Sequence, residues 1–183
     1  MRLFTALDLP PEVADNLERL LRRLRPAARI SWSPPTNLHI TTKFIGEWPE
    51  DRLGELKLAL AGMPNRRPIE VRVRNLGFFP NLRAPRIFWC GIDAPGLAAL
   101  AAYTDQATAG LGVVRESRPF SAHLTLARIR DRVDLSPLHQ AIASLPSTEF
   151  GAFEAGSFFL YLSQLKPGGS VYTKLSEFPL SLQ

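Results

Sequence analysis

Two stretches of this chain place a histidine two residues ahead of a threonine inside an apolar run. They are Leu38-His39-Ile40-Thr41-Thr42 and Ala122-His123-Leu124-Thr125-Leu126. The chain has three histidines, so two of them sit in matched settings. Alternate side chains of a strand point the same way, about 6–7 Å apart. His39 and Thr41 therefore share one face, as do His123 and Thr125, while Ile40, Thr42, Leu124 and Leu126 pack behind. If the two strands lie side by side at the centre of a two-lobed body, two imidazoles and two hydroxyls converge on one cleft. That set suits acid–base cleavage of a phosphodiester. A base activates water, an acid protonates the departing alkoxide, and in-line geometry puts them on opposite sides of phosphorus. An imidazole with an ordinary pKa near 6.5 serves either role at neutral pH. The threonine hydroxyls can donate to the non-bridging oxygens as charge develops. Symmetry alone does not say which histidine is acid and which is base.

A single His-x-Thr is commonplace in half-buried strands and would mean little. The repetition is what carries the signal. A zinc site is the competing functional reading, but there is no cysteine cluster and no local His-x₃-His spacing. His139 has no such partner and reads as a surface or capping residue. A reading from a different class is a non-catalytic nucleotide- or RNA-binding module whose His–Thr pairs only hold a terminal phosphate. Plain anion binding is served better by Arg or Lys.

The elements that must position these residues can be read from periodicity. Residues 2–9 form a first strand, and Pro10-Pro11 opens a helix with Val13, Leu17, Leu20, Leu21 and Leu24 at helical spacing. Arg19, Arg22, Arg23 and Arg25 fall largely on its other side, a solvated face rather than an RNA-binding one. A strand over 38–45 carries the first His–Thr pair. A helix over 50–61 follows, with Leu53, Leu56 and Leu60 inward and Gly62 as its stop. The alternation from Ile69 to Arg74, the run 86–92 and a helix over 95–110 come next. The second half replays the order, with a strand over 120–128 and a short helix from Ser136 to Leu145 that Ser136 caps. Strands over 150–164 and 171–178, joined by Pro167-Gly168-Gly169, close the chain. This predicts an α+β fold of two sheet-and-helix lobes related by approximate duplication.

Composition is compatible with this. The chain has 183 residues, 45% of them hydrophobic, enough for one domain spanning 1–183. The net charge is +5, and 18 of the 22 basic residues are arginines, whose planar fork suits phosphate. Cys90, the single cysteine, excludes a disulfide framework and a Cys-rich metal centre, and reads as a buried small hydrophobe. No secretory pattern opens the sequence and no run approaches a membrane span, so the expectation is a cytoplasmic protein without membrane association.

At the level of motifs the chain resembles the two-histidine phosphoesterases, specifically the RNA 2′,3′-cyclic phosphodiesterases also called 2′–5′ RNA ligases. The likeness runs through Met1 to Pro10, Asn37 to Gly46, Pro85 to Gly91, Arg118 to Arg128 and Leu160 to Ser163. It implies a bilobal body with two pseudo-symmetric antiparallel sheets, helices on their outer faces and a central cleft. It implies a monomer that opens RNA 2′,3′-cyclic phosphate ends, transfer-RNA halves among the candidates, to 2′-phosphates without metal or cofactor. Reversible 2′–5′ joining is open to the same site. By the same resemblance His39 is the proton donor, His123 the acceptor, and Thr41 and Thr125 hold the phosphate. Arg128 lies near the nucleotide, five residues after His123, and Phe44 holds the same offset after His39. Ring and guanidinium together could sandwich a base, although a core position suits Phe44 equally. Ala122 stands where the family usually has proline, and Thr42 where it usually has an aliphatic residue; neither change removes a catalytic group.

Overall fold

The computed structural model describes residues 1–64 and 67–181. The opening apolar run becomes β1 (Arg2–Leu7), buried from Leu3 to Leu7. Pro11 then starts α1 (Pro11–Leu24), and the five residues at helical spacing, Val13, Leu17, Leu20, Leu21 and Leu24, are all buried. Each such side chain contributes about 1.5–3 kcal/mol on full burial. The opposite face stays in solvent, where Arg22 pairs with Glu18 at 2.8 Å and Arg23 reaches the Ser144 carbonyl at 3.2 Å. The remaining elements are β2 (Ser31–Trp32), β3 (Ile40–Glu47), α2 (Leu53–Ala61), β4 (Ile69–Phe79), β5 (Ile87–Asp93), α3 (Leu97–Ala109), β6 (His123–Arg128), α4 (Ser136–Ala143), β7 (Glu149–Ala155), β8 (Ser157–Lys166) and β9 (Gly169–Pro179).

The strands form two antiparallel sheets. The first has the order β3-β1-β8-β9 and the second β2-β6-β5-β4-β7. The two motif strands therefore belong to different sheets, yet α-carbons of β3 and β6 approach within 8 Å. The order strand, helix, motif strand, helix appears as β1-α1-β3-α2 and again as β5-α3-β6-α4, with each motif strand paired to the strand that opens its series. The helices are exchanged between the sheets. Helix α1 leaves β1 of the first sheet and packs on β7 and α4, whereas α3 leaves β5 of the second sheet and packs on β3 and α2. One continuous hydrophobic cluster, from Leu3 and Leu7 through Phe88 and Leu124 to Phe158 and Leu160, underlies both sheets.

Several boundaries differ from expectation. The segment read as one strand over 150–164 is split at Gly156 into β7 and β8, which enter different sheets; the Gly156 carbonyl accepts from Leu180 N at 2.8 Å. The helix expected from residue 50 begins as a 3₁₀ turn at Glu50–Arg52. Ser136 does not cap α4 but is its first residue, and its amide donates to the Asp134 carboxylate at 2.9 Å. An acidic side chain there complements the helix dipole and satisfies an amide the helix leaves free. Cys90 is fully buried, and burial pushes its thiol up to about 12, so it is inert packing. Among the described residues no helix is long and apolar enough to cross a membrane.

Candidate active site

The two motifs share an irregularity that plain alternation does not predict. Along β1 and β3, Ala6 pairs with Thr41, Thr5 with Lys43 and Phe4 with Phe44, which leaves Thr42 as an extra residue. Along β5 and β6, Gly91 pairs with His123, Trp89 with Thr125, Phe88 with Ala127 and Ile87 with Arg128, leaving Leu126 extra. Both bulges fall three residues after the histidine. A bulge places two successive residues on the same side of the strand and shifts the phase beyond it. Accordingly Thr42 and Lys43 are both buried, as are Leu126 and Ala127. The shift returns Phe44 to the face of Thr41 and Arg128 to the face of Thr125. Phe44 is not core: it is 64% exposed, with its ring 6.2 Å from Phe4, which itself stacks on His39. The buried Thr42 hydroxyl bonds the Thr5 hydroxyl at 2.7 Å, so the polar residue on the packed face is satisfied.

His39 sits just ahead of β3 in an aromatic nest. Its ring stacks on Phe4 at 4.7 Å and meets the edge of Tyr172 at 5.0 Å, while Phe4 stacks in turn on Tyr161 at 5.3 Å. Burial there pulls the His39 pKa down to about 4, against smaller upward pulls from the Asn37 backbone and the Asp8 carboxylate. Asp8 is held by Lys174 at 2.6 Å and by the Tyr161 hydroxyl. Lys174 also lies 3.7 Å above the Phe159 ring. On the other sheet, His123 donates from Nδ1 to the Ser121 carbonyl at 2.8 Å. That bond fixes the tautomer and leaves Nε2 as the atom free for proton transfer. Phe79 meets the His123 ring edge-on at 5.2 Å and packs on Trp89 at 5.2 Å. Trp89 can lie beside Thr125 only because its neighbour across the sheet is Gly77, where a Cβ would fall 2.2 Å from the indole.

Every residue singled out in the sequence thus has a place. His39, Thr41 and Phe44 share one face of the first sheet, and His123, Thr125 and Arg128 one face of the second. The base-sandwiching pair is not closed: among the described residues the arginine seated on an aromatic ring is Arg52, over Trp48 at 5.0 Å, not Arg128 over Phe44. His139 is an exposed residue of α4 resting on Phe78 at 5.1 Å. Sequence spacing assigns no role to Asp8, Tyr161, Tyr172, Lys174 or Trp89, which the fold brings to the two histidines. Tyr161 and Tyr172 lie on β8 and β9, remote in the chain, and no local spacing marks them as neighbours of His39. Among the described residues, no group of three or more His, Cys, Asp or Glu side chains is placed to hold a metal ion.

The model of the LigT-like phosphoesterase family matches residues 7–89 and 92–172, and each segment contains one His–Thr pair. The RNA 2′,3′-cyclic phosphodiesterase of Methanocaldococcus jannaschii is 32% identical over 97% of this chain and 99% of its own. The enzyme of that name from Thermus thermophilus is 35% identical over 98% of this chain and 90% of its own. A crystal structure of a Thermus thermophilus protein superposes with a TM-score of 0.80 at 34% identity, covering 98% of both chains. Escherichia coli LigT, solved with 3′-AMP, gives a TM-score of 0.79 at 26% identity over 99% of this chain and 98% of its own. The chain belongs to the LigT-like phosphoesterase family.

Proposed function

We propose that this protein is an RNA 2′,3′-cyclic phosphodiesterase, opening the cyclic phosphate at an RNA 3′ end, such as that of a transfer-RNA half, to leave a 2′-phosphate. The observation that carries this reading is the duplicated, bulged His–Thr strand. It presents an imidazole and a hydroxyl from each of two adjoining sheets, in a chain whose relatives carry that activity by name. Thr41 and Thr125 donate to the non-bridging oxygens. His123, its Nδ1 proton committed to Ser121, takes a proton from water through Nε2. Water attacks phosphorus as the P–O3′ bond breaks, and His39 protonates the departing 3′-oxygen. Phe44 and Arg128 close on the terminal base when it arrives.

Burial gives the donor role a condition. A His39 with a pKa of about 4 is neutral in the free protein at pH 7, so it must gain its proton as the anionic phosphate arrives. The same observation favours a second reading in which the roles are exchanged, with the neutral His39 as base and His123 as acid. A substrate whose 3′-oxygen is replaced by sulfur separates them, because a thiolate leaves without protonation. Each alanine variant should lose on the order of 10²-fold or more on the natural ester. On the sulfur substrate His39→Ala regains most of its rate, whereas His123→Ala does not. Recovery of His123→Ala instead would establish the exchanged roles, and full activity of either variant on the natural ester would remove the scheme.

A further inference from the structure

The site face continues past His39 along the β8–β9 hairpin. Between the hairpin tip and the turn before His39 lies an open groove of about 550 Å³, lined by Thr36, Asn37, Lys166, Ser170, Val171 and Tyr172. Its size lies within the range of about 300–1,000 Å³ usual for small-ligand sites. It adjoins the acid–base centre through two shared residues. Tyr172 forms part of its wall and also meets the His39 ring edge-on at 5.0 Å. The Asn37 amide donates to the Ser170 carbonyl at 2.7 Å, pinning the hairpin to the turn that leads into His39. The lining combines an ammonium, two hydroxyls, an aromatic ring and apolar surface. Val171 is 41% exposed, and Leu165, beside Lys166, is 87% exposed. Among the described residues Lys166 has no ion-pair partner, unlike Lys43 and Lys174.

We propose that this groove seats the nucleotide preceding the cyclic end, with Lys166 on its phosphodiester and Tyr172 and Val171 against its sugar and base. The occupant is single-stranded RNA. Its terminal phosphate lies at His39 in the phosphodiesterase reading, and the groove reaches that ring through Tyr172 and the turn at Asn37. An aromatic wall with one cation fits a nucleotide without fixing which base it carries. The proposal rests on the phosphodiesterase reading and makes the enzyme one that recognises chains more strongly than single nucleotides.

The test compares kcat/KM for a trinucleotide ending in 2′,3′-cyclic phosphate with that for a 2′,3′-cyclic mononucleotide, in the wild type, Lys166→Glu and Val171→Asp. The trinucleotide-to-mononucleotide ratio should exceed one in the wild type and fall about tenfold in either variant. Equilibrium binding of the trinucleotide 2′-phosphate should lose about 0.7 from its log–log salt slope in Lys166→Glu, the share of one phosphate contact on a single strand. A ratio left unchanged by both variants overturns the groove assignment. Should the wild type turn over neither substrate, the phosphodiesterase reading fails; a Lys166-dependent salt slope would then still support the groove, and an unchanged slope would overturn it as well.

Discussion

Burial behind Phe4 and Tyr172 sets the charge of His39 before any substrate arrives, and that charge has a cost when pH falls. An exposed histidine in the unfolded chain takes a proton near pH 6.5, whereas the folded chain refuses it until about pH 4. Between those values the unfolded state binds more protons, so stability rises with pH across the window and falls as pH drops through it. The contribution is fully present above about pH 6.5 and is lost progressively toward pH 4, the loss amounting to about 3 kcal/mol. His39→Gln removes the titrating group. Urea unfolding at pH 7.5, 5.5 and 4 should therefore show a shallower decline in the variant than in the wild type. Identical pH dependence in the two would mean that the ring is not held neutral in the fold.

At the scale of the strand, the bulge three residues after each histidine decides what the site contains. In strict alternation Phe44 would follow Ile40 and Thr42 into the packed layer; the extra residue brings it out to the exposed face it shares with Thr41. Thr42 fills the bulge with its hydroxyl on Thr5 at 2.7 Å in a buried setting. Thr42→Val should cost about 1–3 kcal/mol, because it strands the Thr5 hydroxyl without a partner. The double variant Thr5→Val/Thr42→Val should recover most of that loss, giving a non-additive cycle in denaturant titrations; simple additivity would refute the coupling. The second bulge was visible in outline: Leu126-Ala127 places two apolar residues together immediately before Arg128, a break in the alternation. The first was masked because its second residue is Lys43, whose charge reads as solvent-facing while its amine is buried on Asp105 at 2.7 Å. The histidines, threonines and helix α1 were legible from local spacing alone. The aromatic nest of His39 was not, because Phe4, Tyr161 and Tyr172 meet through strand pairings that span most of the chain.

Across the whole molecule, the exchange of helices between the sheets makes the relation between the two motif strands a global property. Helix α3 hangs from the second sheet and packs against β3 of the first, and Asp105 on it is the junction. Lys43 donates to Asp105 at 2.7 Å and to the Val114 carbonyl at 2.9 Å, while Asp105 also accepts from Arg115 at 3.1 Å and from the Glu116 amide at 2.9 Å. These groups hold the carboxyl at about 2, with the Lys43 hydrogen bond the largest cause. One motif strand is thereby tied through its back face to the segment that leads into the other motif. Lys43→Met leaves Asp105 with Arg115 and the Glu116 amide but without its buried ammonium, and should cost about 1.5–3 kcal/mol, the worth of a hydrogen bond to a charged group. Lys43→Met/Asp105→Leu removes both charges and should regain much of that stability, since an apolar pair replaces the carboxylate that has lost its buried partner. If the pair served stability alone, catalysis would recover in step. If it sets the approach to His123, the double variant should refold to near wild-type stability yet keep a reduced kcat/KM on the cyclic ester, because no apolar side chain replaces the bond to Val114. Thermal melts and kinetics on the same three proteins distinguish the outcomes, and full recovery of both quantities would reduce the Lys43–Asp105 pair to a structural tie.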